Sequence, residues 1–557
     1  MNSWWRSGVV YQIYPKSFYD TNNDGIGDIR GIIEKLDYLE LLGVEALWLC
    51  PIYESPQIDN GYDISDYRKI HSMFGSNEDL EELIKKAHKR NMKIIMDLVL
   101  NHTSDQHIWF IESKRSKDNP YRDCYFWKDG KKGKEPTNWG SYFGGSAWTY
   151  DDNTGQYYLH FFAKEQPDIN WENVKVRQEI WDVMRYWMDR GVDGWRVDSI
   201  SSISKYLEFA DYEDTSEYSI GKYHVNGPKL HTYIKEMNEE VLSKYDCMTV
   251  GEASGSTTED GILFTDPKRK ELDMIFTFEH MTIDSNFNSE KGRYELIPLD
   301  LRKLKEIMFK WQIDLEGQGW NALYWENHDQ ARIISRWGND KEYRIECAKM
   351  YATVLHMMKG TPYIYQGEEI GMTNCDFKLD EFDDIGIKNA YKELVIEKKL
   401  MDKEEFLDAA NIIVRDHSRT PMQWDENING GFTDGTPWIK LNPRYKEINV
   451  KKALEDSGSI FYHYQKLIKL RKEKDIIVHG SFHPILERDE QIFSYMRIYD
   501  DERLLVVANF FDKKVWFIKP EEIKENQGEI LISNYKDSPA SINKITLRPY
   551  EAIVYKL

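Results

Sequence analysis

Residues 76–100, SNEDLEELIKKAHKRNMKIIMDLVL, change character halfway along. The first part reads as an amphipathic helix that opens on Ser76 as its N-cap. The second part, 92–100, is near-continuously apolar, as a strand buried on both faces must be. The same pairing recurs along the chain. Comparable apolar runs lie at 9–15 (VVYQIYP), 44–51 (VEALWLCP), 192–200 (VDGWRVDSI), 247–253 (CMTVGEA), 272–278 (LDMIFTF), 321–327 (NALYWEN) and 361–369 (TPYIYQGEE). Helical stretches at 173–191 and 344–360 lead into later strands and end on Gly191 and Gly360, a usual helix stop. Eight strand–helix units predict an α/β fold of the (β/α)₈ barrel type, with a doubly wound sheet as the alternative this pattern allows.

Two departures enlarge the barrel. About 70 residues separate the third and fourth strands, far more than an ordinary βα loop. They are rich in Trp, Tyr, Gly and Asp, so residues 104–171 are expected to form an inserted subdomain. Beyond about 480 the helical period stops and short alternating runs follow, such as QIFSYMRIY and RLLVVANFF, which predict an antiparallel β-domain over 481–557. The barrel is then expected to take 1–103 and 172–480.

Composition excludes several partners. A net charge of −21 disfavours nucleic acid and anionic membrane surfaces. No apolar run is long enough for a signal peptide or a bilayer span. The five cysteines are scattered without a CxxC pair, which argues against zinc or a disulfide framework. A soluble, cytoplasmic monomer is expected. Aromatics make up 14% of the chain, with 18 Trp and 35 Tyr, which suits both sugar stacking and ordinary cores.

Carboxylates collect at the C-terminal ends of the strands, where barrel enzymes build their sites. Asp97 lies near the end of the third strand with His102 after it, Asp198 ends the fourth, Glu252 ends the fifth, and His328–Asp329 follow the seventh. One such Asp commonly caps the next helix; four acidic strand ends together weaken that explanation. Cleavage of a glycosidic bond needs two carboxyl groups, one to protonate the leaving oxygen and one to attack carbon or activate water. Arg196, two residues before Asp198, lies on the same side of its strand and is expected to keep that carboxylate ionised. Glu252 sits among small residues, where poor solvation raises a carboxyl pKa.

Residues 20–31, DTNNDGIGDIRG, resemble an EF-hand loop in Asp20, Asn22, Asp24 and Gly25. Gly31 stands where the bidentate Glu belongs, and the preceding stretch reads as a strand, so a calcium sensor is excluded. A polar turn accounts for the residue types. The third nearby carboxylate, Asp28, favours a small oxygen-bound cation, Ca²⁺ or Mg²⁺.

The motifs DLVLNH, GWRVDS, VGEAS and NHD, in this order, resemble those of the α-amylase superfamily, family 13 of the glycoside hydrolases, and within it the oligo-1,6-glucosidase and α-glucosidase group. The stretches VVYQIYPKSFYD, DNGYDISDY, MMKGTPYIYQGEEIGMTN and RTPMQWD match as well, so the resemblance spans essentially the whole chain. It implies a catalytic barrel, an inserted domain and a C-terminal β-sandwich. It implies Asp198 as nucleophile, Glu252 as general acid and base, and Asp329 as stabiliser of the transition state, with the α configuration retained. Asp59 and Tyr62 would close the end of the sugar pocket, with Arg415 bridging to Asp59. His102, Arg196 and His328 would be further sugar contacts, and Phe143, Phe162 and Gln166 pocket walls. The metal loop would take ligands from Asp20, Asn22, Asp24, the Ile26 carbonyl and Asp28, as a structural ion; no organic cofactor is implied.

Exo-action on short α-glucosides follows, with isomalto-oligosaccharides ranked first. Maltose, sucrose hydrolysis or isomerisation, and trehalose 6-phosphate remain alternatives. Ser199, after the nucleophile, resembles the α-1,4 members, whereas Ala253–Ser254 resembles the 1,6 group. Gly386 stands where relatives carry a Glu contacting the second sugar, and Ala331 replaces a Pro. The stretch LIPLDLRKLKE lacks the Arg-rich loop of sucrose isomerases. A non-catalytic, transporter-associated role is disfavoured because all three catalytic carboxylates are present.

Overall fold

The computed structural model describes residues 3–213 and 218–557. Eight parallel strands pair in the order β6-β5-β4-β3-β2-β1-β8-β7, where β1 is Val10–Ile13, β2 Ala46–Leu49, β3 Lys93–Val99, β4 Gly194–Asp198, β5 Met248–Glu252, β6 Met274–Phe276, β7 Ala322–Leu323 and β8 Thr361–Tyr365. A parallel bridge between Ile275 and Asn321 joins the two edges, so the sheet closes into a barrel. Closure removes exposed edges, and it rules out the doubly wound alternative. The strands are shorter than the apolar runs that announced them. β7 keeps only two residues of its seven-residue run, because the residues after it leave the ladder to build the site.

The helix–strand unit at 76–100 forms as its sequence dictates. Ser76 caps the helix Asn77–His88 in a reciprocal capping box with Asp79, and Leu80, Leu83, Ile84 and Ala87 turn inward. The helix Val174–Met188 is capped by Asn173 and buries Trp181, Met184 and Trp187. Gly191, just past it, has φ +99°, a conformation that disfavours side chains. Fully buried tryptophans at 48, 139, 171, 181, 187, 195 and 325 show that much of the aromatic content is core.

Between β3 and β4 stands a small antiparallel sheet of Trp127–Lys128, Gln156–Leu159 and Trp148–Asp151. Its own core contains Phe126, Trp139, Trp148, Leu159 and Phe161. At the C-terminus, five antiparallel strands face a two-stranded ribbon of Val515–Ile518 and Lys544–Leu547. The strand Glu502–Asn509 is buried on both faces: Leu505 and Val507 pack with Phe517 and Leu547, while Leu504, Val506 and Ala508 join the barrel's core. That double burial explains its unbroken apolar sequence. One unit was not foreseen. After β8, a helical segment with a separate core of Phe377, Phe382, Leu394, Phe406 and Ile413 packs beside the barrel mouth.

Candidate active site

Arg196 is the hub of the barrel mouth. It lies on β4, 2% exposed. Its Nη1 donates to Asp97 Oδ1 at 2.6 Å and to Asp198 Oδ1 at 2.5 Å, and its Nη2 lies 3.0 Å from Glu252 Oε1. The register explains this meeting: Asp97 on β3 is level with Arg196, and β5 runs parallel on the other side of β4. One guanidinium therefore gathers three carboxylates from three adjacent strands. Asp97 is fully enclosed, also accepting from Trp48 Nε1 at 3.0 Å and the Tyr62 hydroxyl at 3.1 Å. Its side chain is 0% exposed, against 8% for Asp198 and 16% for Glu252, so Asp97 positions Arg196 while the other two face the opening.

Burial dominates the electrostatics. It pushes the Glu252 carboxyl up to about 7, with Arg196 opposing. Burial also raises Asp198 to about 6, although Arg196 and a hydrogen bond with Glu252 pull it down. The sequence argument named Arg196 as the controlling influence on Asp198; desolvation in fact outweighs it. The order still separates the roles, with Glu252 the more readily protonated acid.

Glu252 is held by an unusual donor. Ser199 has φ +44° and ψ +39°, and its N–H donates to Glu252 Oε2 at 2.9 Å. This left-handed backbone is costly for β-branched side chains, so a small residue suits position 199.

A second cluster surrounds Asp329, which is 28% exposed. Arg419 Nη2 donates to its Oδ1 at 2.8 Å and Arg415 Nη1 at 3.2 Å, while His328 Nε2 lies 3.1 Å from Oδ2. Burial alone raises this carboxyl, yet His328, Arg415 and Arg419 together hold it well below the usual range. Burial lowers the His328 pKa, so at neutral pH the two guanidinium groups carry the positive charge beside Asp329. Gln12 Nε2 donates to His328 Nδ1 at 2.8 Å, which leaves Nε2 as the protonated nitrogen, between Asp329 and the Tyr62 hydroxyl. Tyr62 stacks on that imidazole at 5.3 Å.

A model of the catalytic domain described as alpha amylase matches residues 12–480, and one of an alpha-amylase C-terminal domain matches 492–554. The chain belongs to the α-amylase family. A curated oligo-1,6-glucosidase of Heyndrickxia coagulans is 59% identical over the full length of both chains, and others of that name match at 54–57%. Solved structures of trehalose-6-phosphate hydrolase from Bacillus licheniformis (TM-score 0.94, 50% identity, all of both chains) and isomaltulose synthase from Klebsiella sp. LX3 (TM-score 0.96, 43% identity, 99% of both) share the fold. This α-amylase family member is a glycoside hydrolase.

Three further segments meet beside this cluster. Asp59, from the β2 loop, accepts from Arg415 Nη2 at 3.1 Å and from Gln166 Nε2 at 3.1 Å. Gln166 comes from the insert, and its Nε2 also lies 3.1 Å from His102 Nε2. His102 is buried, reaches the Tyr62 carbonyl at 3.1 Å, and burial lowers its pKa to about 4, so its ring is neutral. Phe162 packs on His102 at 5.0 Å; Phe143 packs on Phe162 at 5.8 Å and lies under the Arg415 guanidinium at 5.4 Å. All twelve catalytic and sugar-contacting candidates thus lie in one connected network, with Asp97 at its centre.

Sequence reasoning missed Asp384, Arg419, Gln12 and Trp48. Asp384 takes Arg415 Nη2 at 2.7 Å and caps the helix Ile385–Tyr391 through Gly386 N. A Cβ at Gly386 would stand 3.3 Å from Asp384 Oδ1, so glycine leaves that oxygen room to hold Arg415. Arg419 lies inside the quoted RTPMQWD motif, but nothing in its spacing points at Asp329.

The loop after β1 is locked by its own backbone. Asp20 accepts from Asn22, Asn23 and Gly25 N–H groups and from the Thr433 hydroxyl. Asp28 accepts from Thr21 and, as N-cap of Ile29–Glu34, from Gly31 N. Gly25 has φ +89° and packs so tightly on Thr436 that a Cβ would fall 1.8 Å from its carbonyl. Among the described residues no three His, Cys, Asp or Glu groups converge to hold a metal. A cation at this loop therefore has to draw on Asn22 and the Ile26 carbonyl as well as the acids. That all-oxygen set fits a hard ion such as Ca²⁺.

Proposed function

We propose that the chain is a retaining, exo-acting oligo-1,6-glucosidase that releases glucose from the non-reducing end of short isomalto-oligosaccharides. The 59% identity over full length to a protein of that name carries the linkage; the shared guanidinium carries the stereochemistry. The two carboxyl groups share Arg196 and are hydrogen-bonded to each other, so they lie close together. That suits the separation of about 5–5.5 Å in retaining enzymes rather than the roughly 6.5–9.5 Å that admits a water.

Asp198 attacks the anomeric carbon while protonated Glu252 gives its proton to the glycosidic oxygen, breaking the bond and releasing the aglycone. Glu252, now ionised, takes a proton from water, which attacks the same carbon, displaces Asp198 and restores the α configuration. Asp329, His328 and His102 line the sugar's hydroxyl side. The hydrogen bonds that tie Asp59 to Arg415 and Gln166 join three segments beside the catalytic carboxylates, and a pocket closed there would suit exo-action.

Trehalose 6-phosphate needs cations free to meet a phosphate. Four buried cations near the carboxylates are committed: Arg196, Arg415 and Arg419 to carboxylates of the site, and Lys205 to Asp168 at 2.7 Å. Side-by-side glucose release from isomaltose, maltose, sucrose and trehalose 6-phosphate tests this reading. Fastest release from isomaltose is expected; faster release from maltose, or isomerised sucrose as the main product, refutes it.

We further propose that a hard cation binds the Asp20–Asp28 loop as a structural element. The chain acts as a monomer on small sugars inside the cell; five free cysteines support a reducing compartment. No helix among the described residues is long and apolar enough to cross a membrane.

A further inference from the structure

On the outer side of β3, behind the catalytic mouth, lies a cavity of about 340 Å³. Its floor is Leu98 and Leu100, which point away from the barrel interior because they alternate with Asp97. The volume lies in the range of small-molecule sites, about 300–1,000 Å³. None of the residues used by the mechanism lines it.

One wall carries an unpaired donor. His107 is 6% exposed, and its Nδ1 accepts the Trp109 backbone N–H at 3.2 Å. A nitrogen that accepts must be unprotonated, so in the neutral ring the proton sits on Nε2. Among the described residues none accepts from that N–H, although the ring lines the cavity. Burial lowers the His107 pKa to about 4, which keeps the ring neutral at physiological pH. That N–H opens to the cavity, where water or a ligand oxygen can meet it.

The rest of the lining narrows the ligand. Half-buried Trp109 stands edge-on to His107 at 4.6 Å and lines the cavity. The rim holds Gln106, Asp66 and the loose Arg68–Glu179 pair, 3.6 Å apart and mostly in solvent. A pyranose has an apolar face for the indole and hydroxyls for both the imidazole and the rim. An aliphatic ligand would leave the His107 N–H unsatisfied.

We propose that this cavity is a second, non-catalytic binding site for a glucosyl unit, built from Trp109, His107 and the Gln106–Glu179 rim. The test uses isomaltose as probe and the full chain carrying Asp198→Asn, so that the sugar is not consumed. Calorimetric titration is expected to show two sites. Adding Trp109→Ala should leave one, and Gln106→Ala should weaken the second site at least about threefold. In the wild-type background Trp109→Ala should hydrolyse isomaltose normally, which shows that it folds. A single site in the Asp198→Asn protein, a second site that survives Trp109→Ala, or filling of the cavity by decanoate but not by isomaltose would each overturn the assignment.

Discussion

The Asp20–Asp28 loop and the Arg196 cluster both gather acidic side chains, and they satisfy them in opposite ways. In the loop, the acceptors of Asp20 and Asp28 are met mostly by backbone N–H groups within a few residues. In the cluster, Asp97, Asp198 and Glu252 meet one cation carried on the middle of three strands, and Asp329 meets two more from beyond β8. Local satisfaction leaves the first region ordered but chemically quiet. Long-range satisfaction in a desolvated mouth leaves carboxyls with shifted pKa values, which is what acid–base chemistry needs. Damage to the loop should therefore read out in stability, and damage to the cluster in turnover.

The largest expected effect is at the nucleophile. Asp198→Asn should lower kcat on isomaltose by roughly 10⁴-fold or more with little change in melting temperature. Full activity in that variant breaks the comparison at its strongest point. Glu252→Gln should cost about 10²–10⁴-fold, the usual worth of a general acid, and less with an activated aryl glucoside that leaves unaided.

The pH profile sharpens the assignment. Catalysis needs Asp198 ionised and Glu252 protonated. Activity should rise through about 6 and fall through about 7, and Glu252→Gln should erase the alkaline limb of the residual rate. A limb that persists assigns the acid elsewhere. Removing Arg415 leaves Asp59 and Asp384 buried without their common cation. Arg415→Ala should raise KM for isomaltose by about 10-fold or more and destabilise the fold by about 3–5 kcal/mol, seen as a lower denaturant midpoint.

The smallest effect belongs to the loop. Chelation should lower the melting temperature by about 1 °C, a change near 1 kcal/mol in a chain of 557 residues, and leave kcat unaltered. Loss of kcat at unchanged stability would join the two regions and refute a purely structural ion.

Much of this was legible in the chain. The switch from helical stripe to apolar run at 76–100 is local, and so are the N-cap at Ser76 and the excess length between β3 and β4. Asp97, Asp198, Glu252 and Asp329 were visible because barrel geometry brings strand ends together whatever the loops do. The helical unit after β8 was not visible, since its apolar residues form a core with one another and with the distant Tyr294 and Ile439. Asp384 and Arg419 stayed hidden for the same reason: their partners lie 31 and 90 positions away.

The sequence by itself determined the strand–helix period, the acidic strand ends and the polar turn after β1, all of which depend on neighbours within a few residues. Only the tertiary structure decided that one arginine serves three carboxylates, that Gly386 leaves room for the Asp384–Arg415 bond, and that burial outweighs Arg196 at Asp198. Desolvation is a property of everything packed around a group, and no spacing along the chain records it.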